Sequence, residues 1–346
     1  MNDIVKNILR IGIGSVFIIA AILKLISIDE FEIYIYSFNI FSFFVTTILS
    51  RLLITGEFVL GLFLIFKIYY RFTWRAILTI QILFTIFLVY VVIFRDDSNC
   101  HCFGELIELS PTQSILKNIL FIGALFLLKP RSTKPEKLKS FNSQILRFSD
   151  SQILKTVPII SLILVFIISP TDSIYKMIYS TEKEISTIDL EESFDEVSRI
   201  GDGNGDGNGS ENGNGDGDGS GNGDGNESEN GDGSEDFNIG EGRRMLVIVS
   251  SGCKYCKLGV KKLSMIMKRE GYDIGDVDIF IWGSPEGISD FREETMTEDY
   301  RYWHILPNKA IDITYGRFPI FIWFDKKEIV KIGDFRDLDD DILWSI

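Results

Sequence analysis

The stretch RMLVIVSSGCKYC, residues 244–256, contains the features that decide the fold of the C-terminal part of the chain. Residues 244–249 form a strand-like run that is apolar from Met245 onward and rich in β-branched side chains, which is typical of a buried strand. Cys253 and Cys256 then open a helical pattern that continues through Met267. A thiol at a helix N-terminus meets unpaired backbone N–H groups and the positive end of the helix dipole, which favour its thiolate. The stretch therefore predicts a redox-active dithiol at a strand-to-helix turn, with Cys253 as the nucleophile and Cys256 as the more buried, resolving thiol.

Three later segments extend this pattern. Residues 277–282 fit a central strand, and residues 316–324 and 328–332 fit a terminal hairpin. Together with the Cys-x-x-Cys pair, this order resembles the thioredoxin fold over about residues 240–346. The resemblance implies an α/β domain for disulfide exchange, in which Pro319 is a cis-proline opposite the dithiol.

Lys254 follows Cys253 directly and adds a positive charge that favours the thiolate. Lys254 and Tyr255 stand where thioredoxin itself has Gly and Pro, so the resemblance leaves open whether the domain oxidises, reduces or isomerises disulfides. Zinc is the alternative ligand for a Cys-x-x-Cys pair, but no second pair or histidine follows at the usual spacing. We therefore expect no metal at this dithiol.

The first 170 residues predict a membrane domain. Segment 31–49 is apolar but has acidic residues at its start, so we interpret it as a loop or an interfacial helix at the outer face. Lys24 interrupts the first apolar run and no cleavage site follows it, so we expect that helix to be retained. We predict an α-helical transmembrane bundle of four helices plus a fifth. Runs that approach the roughly 20 residues needed to cross a bilayer lie at about 8–28, 51–70, 74–94, 113–128 and 153–169.

The orientation of this bundle follows from its Lys and Arg residues. The segments at about 29–50 and 95–112 contain almost no basic residues and are predicted to lie outside, together with everything after residue 170. Both cysteine pairs then face one oxidising compartment, where disulfides persist. We expect a multi-pass protein of the cell inner membrane, with the thioredoxin-like domain in the periplasm or outside. The predicted cytoplasmic clusters are Lys6 and Arg10; Lys67, Arg71 and Arg75; and Lys129, Arg131, Lys134, Lys137, Lys139 and Arg147.

The second cysteine pair lies in the sequence CHCFGE, residues 100–105. With Gly14 and Lys24 in the first helix and Gly56-Glu57 in the second, this element resembles the DoxX-like four-helix membrane family and, within it, the MauE proteins, over about residues 5–130. The resemblance implies a role in maturing the disulfide-rich small subunit of methylamine dehydrogenase.

The residues around this pair suggest a redox site. A disulfide between Cys100 and Cys102 closes a very small ring and should exchange easily. His101 could accept a proton, or the two thiols and the imidazole could hold copper or zinc. Lys24 and Glu57 are predicted to lie at similar depths and to pair, either as part of the site or only to neutralise each other. Arg51, Arg95 and Lys117 could also reach the outer boundary, and a basic layer beside Cys100 and Cys102 would favour their thiolates.

Between the two halves lies a tract, residues 201–236, of Gly, Asn, Asp, Ser and Glu alone, which contributes much of the net charge of −14. This composition predicts a disordered tether with an end-to-end distance of roughly 30–36 Å. Its acids lack the spacing of known calcium loops, so we expect no specific calcium site. The predicted domains are a DoxX/MauE-like domain (1–130), a basic cytoplasmic loop and fifth helix (131–175), a disordered linker (176–240) and a thioredoxin-like domain (241–346).

Together these features predict a membrane-anchored thiol–disulfide oxidoreductase in which the two dithiols work in relay. Its expected partners are the lipid bilayer and client proteins with disulfides, and not nucleic acid. We expect no bound cofactor; a membrane quinone is a candidate electron carrier by analogy with vitamin K epoxide reductase-like bundles. The alternatives are a copper- or zinc-handling membrane protein and a non-catalytic assembly factor.

Overall fold

The computed structural model describes residues 3–95, 100, 102–104, 107, 109–130, 150–172, 198–200, 242–326 and 328–338. The chain divides into two compact units, Met1–Thr181 and Glu182–Ile346. The first is a helical bundle and the second is a mixed sheet with helices on both faces.

The described residues of the first unit contain six helices. By length and composition, α1, α3 and α4 can each cross a membrane, and α5 and residues 156–168 of α6 are shorter apolar helices. The predicted bundle of four helices plus a fifth is therefore present as five apolar helices and one short helix, α2. Their bounds are α1 Asp3–Ile26, α2 Ile28–Tyr36, α3 Phe43–Phe66, α4 Tyr70–Phe94, α5 Pro111–Leu127 and α6 Asp150–Ile168.

Segment 31–49 shows that the predicted start of the second long helix needs correction. It contains most of α2 and the first two turns of α3, so the second long helix begins at Phe43 and not near residue 51. The side chain of Ser42 accepts a hydrogen bond from the backbone N–H of Val45, which caps this helix start. The acidic residues that suggested a loop lie in α2, where the first turn of a helix accommodates negative charge.

Close contact between backbones joins α1 to α3. A Cβ on Gly14 would lie 2.9 Å from the carbonyl oxygen of Gly61, and a Cβ on Gly61 would lie 2.8 Å from that of Gly14. Both helices therefore need glycine at this crossing, as is common in membrane helix pairs.

Helices α4 and α5 run antiparallel. The indole N–H of Trp74 donates a hydrogen bond of 2.8 Å to the carbonyl oxygen of Leu125. The hydroxyl of Tyr70 donates one of 2.7 Å to the carbonyl oxygen of Leu128. These two contacts join the start of α4 to the end of α5. The end of α4 must then lie near the start of α5.

Helix α6 ends beside the start of α3. Arg51 donates to the carbonyl oxygen of Ser169 at 3.0 Å and to that of Pro170 at 2.9 Å. Val165 packs with Ala21 of α1 in the same buried cluster. The chain therefore leaves α6 at the end of the bundle where α1 ends and α3 begins.

The second unit contains a six-stranded sheet in the order β1-β4-β3-β2-β5-β6. Strands β2, β3 and β4 are parallel, whereas β5 is antiparallel to β2, β6 to β5 and β1 to β4. The core order β3-β2-β5-β6, with a helix after β2, is that of a thioredoxin-like fold, as the sequence predicted. The elements are β1 Ser198–Ile200, β2 Arg243–Ser250, α7 Lys254–Glu270, β3 Val277–Trp282, α8 Pro285–Thr295, β4 Arg301–His304, α9 Pro307–Thr314, β5 Ile320–Asp325 and β6 Glu328–Gly333.

Strand β1 lies inside the range predicted as linker, residues 176–240. Arg199 pairs with Trp303 on the outer side of β4. Pairing satisfies backbone groups that β4 would otherwise expose at the sheet edge. The sheet therefore begins before the acidic tract, and residues 201–236 lie outside the described residues.

The two faces of the sheet carry different helices. One face packs against α9, with Ile248, Phe280 and Ile322 in one buried cluster with Ile313. On the other face lies α7, where a Cβ on Gly259 would come within 3.1 Å of the Phe321 ring and 2.8 Å of the Cβ of Phe335. This close approach sets the position of the helix that carries the Cys253–Cys256 dithiol.

Candidate redox sites

Cys253 and Cys256 form a disulfide at the N-terminus of α7. Cys253 is the N-cap residue, and its sulfur accepts a hydrogen bond of 3.2 Å from the backbone N–H of Cys256. Cys253 is half-buried, whereas Cys256 has no exposed surface. The same N–H group and the helix dipole would stabilise a Cys253 thiolate after reduction. This asymmetry suits Cys253 for attack and Cys256 for resolution.

The turn before the dithiol is held against the loop between β3 and α8. The backbone N–H of Ser251 donates to the carbonyl oxygen of Trp282 at 3.1 Å. The side chain of Ser251 occupies the space that a Cβ on Gly283 would need. Gly283 is thus required for this packing.

Pro319 immediately precedes β5, and the Phe318–Pro319 peptide bond is cis. Because Ile320 pairs with Ile248, Pro319 lies level with the end of β2, which leads into the dithiol turn.

Aromatic side chains surround this end of the domain. Trp282 and Phe318 meet edge to face at 6.4 Å between ring centroids. Tyr255, which is half exposed, stacks on Phe335 at 5.7 Å. The sequence analysis did not assign these residues to the site, because their proximity depends on strand register and on a contact between α7 and a later segment.

The two lysines near the dithiol differ. Lys254 is exposed beside Cys253. Lys257 forms an ion pair of 2.8 Å with Glu294 of α8, so its charge is largely compensated.

Cys100 and Cys102 form the second disulfide, which is buried in the bundle. The hydroxyl oxygen of Ser114, in the first turn of α5, lies 2.9 Å from the sulfur of Cys100 and 3.4 Å from that of Cys102. Because a disulfide has no S–H, the hydroxyl is the donor. The apolar residues around the pair are Leu88, Phe84, Phe103, Leu109 and Ile115.

The structure explains why residue 104, which follows Cys102 and Phe103, is a glycine. Its φ is +68°, and a Cβ would meet the side chain of Ser27 and lie 2.8 Å from the carbonyl oxygen of Leu23. The loop that carries the cysteines therefore rests directly on the end of α1. Lys24 follows Leu23 at this contact.

Lys24 and Glu57 form an ion pair in which the ammonium lies 2.6 Å from both carboxylate oxygens. Lys117 lies 4.5 Å above the Phe103 ring and within electrostatic range of both Lys24 and Glu57. Because α3 begins at Phe43, Glu57 lies about 21 Å along its helix, deeper than the sequence suggested. The cysteine loop therefore contacts a basic residue of α5 through Phe103.

Two residues of the predicted basic layer, Arg51 and Arg95, have their described contacts with α2 and the segment after it. Arg51 is buried against Glu32 of α2, an ion pair that the sequence analysis did not find. Arg95 lies 4.3 Å from the Phe38 ring and donates to the carbonyl oxygen of Ser37. Lys117 contacts the cysteine loop through the Phe103 ring.

His101 lies outside the described residues. Within the described ranges, no group of three or more His, Cys, Asp or Glu side chains is placed to hold a metal ion.

The fold and the two sites define a membrane protein that joins an apolar helical bundle to a thioredoxin-like domain, each with a disulfide between neighbouring cysteines. Residues 2–129 match the family model described as methylamine utilisation protein MauE, which confirms the resemblance to the MauE proteins seen in the sequence. The chain is also 28% identical over 321 residues to Protein TlpB of Flavobacterium psychrophilum, covering 86% of this chain and 83% of that protein. An alignment of this length includes both units. No solved structure matches the chain.

Proposed function

We propose that this protein is a membrane-anchored thiol–disulfide oxidoreductase that passes electrons between its two dithiols. Cys253 attacks or is attacked by client proteins, Cys256 resolves the mixed disulfide, and the Cys100–Cys102 pair exchanges with Cys253. The coarser part of this proposal, a membrane protein with a thioredoxin-like domain, follows from the fold.

The observation that carries the proposal is the position of the end of α6. Arg51 joins Ser169 and Pro170 to the start of α3. The Cys100–Cys102 loop rests on the end of α1 through Gly104, and α1 ends at this same end of the bundle. The chain therefore leaves the bundle on the side where the membrane disulfide lies. We propose that the second dithiol works on that side of the membrane.

Exchange between the pairs requires the membrane disulfide to become accessible. Cys100 and Cys102 are only 2% and 4% exposed. The backbone N–H of Cys100 donates a hydrogen bond of 3.0 Å to the carbonyl oxygen of Leu109. The side chain of Phe103 packs against the two cysteines. We propose that the loop lifts from α1 to admit Cys253, which would restrict reaction to a partner held nearby.

We also propose the compartment in which the protein works and the class of its clients. The distribution of Lys and Arg supports an outward-facing cysteine loop, and hence a periplasmic or external thioredoxin-like domain. The MauE match supports a role in methylamine utilisation. We propose client proteins that acquire disulfides, with methylamine dehydrogenase as the first candidate.

The test is to trap the exchange intermediate in cells. In the Cys256→Ser variant, Cys253 cannot be released by its own resolving thiol, so a mixed disulfide with Cys100 or Cys102 should accumulate. Acid quenching, alkylation and non-reducing mass spectrometry would detect the linked peptides.

The matched control is the Cys253→Ser/Cys256→Ser double variant, which has no nucleophile and should give no link. If Cys256→Ser gives only links to other proteins, the relay is wrong. In that case the domain would be a tethered thioredoxin.

A further inference from the structure

Asn118 of α5 is a buried amide with no assigned task in thiol exchange. It has no exposed surface, and among the described residues neither its amide nitrogen nor its carbonyl oxygen has a hydrogen-bond partner. An unpaired buried amide group lowers the stability of the fold, because it loses its hydrogen bonds to water and gains none in the protein. An apolar residue would avoid this cost, so the amide at this position points to a ligand.

Asn118 lies directly below the membrane disulfide. It follows Ser114 by one helical turn, so the two side chains share a face of α5, about 6 Å apart along the axis. Ser114 contacts both sulfurs of the Cys100–Cys102 disulfide. The amide is therefore one turn deeper in the bundle than the hydroxyl that contacts the disulfide.

The opposite helix supplies a second polar residue at this depth. The indole N–H of Trp74 in α4 donates to the carbonyl oxygen of Leu125 in α5. Because the two helices are antiparallel, the residue seven positions after Trp74 lies level with the residue seven positions before Leu125. These residues are Gln81 and Asn118. Gln81 is also buried. Polar residues at such a depth in an apolar bundle usually mark a pathway or a binding site.

We propose that Asn118 binds the oxygen of a quinone that exchanges electrons with the Cys100–Cys102 pair. This inference rests on the proposed function. An amide can donate its N–H to a quinone carbonyl and can accept from a quinol hydroxyl through its oxygen, so it serves both redox states. A charged carrier would pay a large desolvation cost at this depth.

The reaction balances as a two-electron, two-proton transfer. The two thiols of Cys100 and Cys102 lose two electrons and two protons and form one S–S bond. The quinone gains the two electrons and the two protons and becomes a quinol, in which the two carbonyl oxygens have become hydroxyls. Ser114 holds the sulfurs and Asn118 holds the oxygen.

The experiment uses the full chain in lipid nanodiscs with Cys253→Ser/Cys256→Ser, so that only Cys100 and Cys102 react. The reduced protein is mixed anaerobically with ubiquinone-1, and quinol formation and thiol loss are measured. We expect one quinol for each dithiol. Asn118→Leu should lower the second-order rate at least tenfold, which corresponds to about 1.4 kcal/mol. Asn118→Thr, whose hydroxyl can donate and accept but is attached one bond closer to the backbone, should retain part of the rate.

Thermal unfolding gives a readout independent of the reaction. Ubiquinone-1 should raise the Tm of the parent protein but not that of Asn118→Leu, whose Tm without quinone should be equal or higher because an unpaired amide is removed. Thr46→Val is the matched control, since Thr46 is also buried and its hydroxyl has no partner among the described residues. It should leave the rate and the quinone-induced shift unchanged.

The inference is overturned if Asn118→Leu and Asn118→Thr keep the parent rate and quinone-induced shift, or if the parent shows neither. Because the thioredoxin-like cysteines are absent from this assay, its result does not depend on the relay. Failure to trap Cys253 with Cys100 or Cys102 in cells would count against the relay alone.

Discussion

At the scale of single residues, the two disulfides have contrasting surroundings. Cys253 caps a helix at the edge of a soluble domain, with a backbone N–H directed at its sulfur. Cys100 and Cys102 are enclosed by apolar side chains, and a hydroxyl contacts both sulfurs. The first environment favours a thiolate that reacts with partners in water, and the second protects the pair from them. The contrast fits a pair that meets clients and a pair that is reached through it.

Gly104 is the residue on which this protection depends most directly. Gly104→Ala should strain a backbone with φ of +68° and push the loop from Leu23 and Ser27. We expect a loss of about 1–3 kcal/mol of stability. In reduced protein, alkylation of Cys100 and Cys102 should be several-fold faster, as measured by mass spectrometry.

Gly123→Ala provides the control, because a Cβ there meets nothing within 4 Å and alanine favours a helix. It should alkylate like the parent and be equally or slightly more stable. Equal alkylation in the Gly104→Ala protein would show that contact with α1 does not shield the pair.

At the scale of helices and strands, the long apolar runs and the Cys-x-x-Cys turn could be predicted from sequence because each is a local pattern. The start of α3 could not be predicted. The acidic residues before it, among them Glu32, indicate a surface segment until the buried partner of Glu32, Arg51 of α3, is known. Strand β1 was missed for a similar reason, because three residues become a strand only by pairing with β4. The same limit applies to the sites: cysteine spacing is visible in sequence, whereas the contact of Ser114 with both sulfurs depends on the packing of α5.

The contact between α1 and α3 gives a prediction at this scale. Gly14→Val would place a side chain against the backbone of Gly61, where even a Cβ lies 2.9 Å from the carbonyl oxygen. Overpacking of this kind should cost about 1–3 kcal/mol and separate the helices that carry Lys24 and Glu57. Thermal unfolding in nanodiscs would measure the loss.

Gly12→Val tests whether the effect belongs to the contact. Gly12 lies on the same helix, and a Cβ there meets nothing within 4 Å. Its Tm should change little, since only the intrinsic helix preference differs. A similar fall in both variants would mean that valine itself, and not the contact with α3, destabilises α1.

At the scale of the whole molecule, function depends on the number of membrane crossings. An odd number of crossings between the N-terminus and the soluble domain would place both dithiols on the side of the membrane opposite the basic loops. An even number of crossings would place Cys253 on the other side of the membrane from the Cys100–Cys102 pair. Helix α6 decides between them. It contains Pro158 and only a short apolar part, residues 156–168. However, its end is joined to the start of α3 by Arg51.

Fusions to alkaline phosphatase, which is active only outside the cytoplasm, would measure this directly. We expect high activity for fusions after residues 109 and 172, because the start of α5 and the end of α6 lie on the cysteine side. A fusion after residue 130 should be inactive, since it follows α5 into the basic loop. Fluorescent-protein fusions at the same points should give the inverse pattern. Activity at 109 without activity at 172 would place Cys253 in the cytoplasm. The two dithiols could then not meet, and the relay would be excluded whatever the chemistry of each pair.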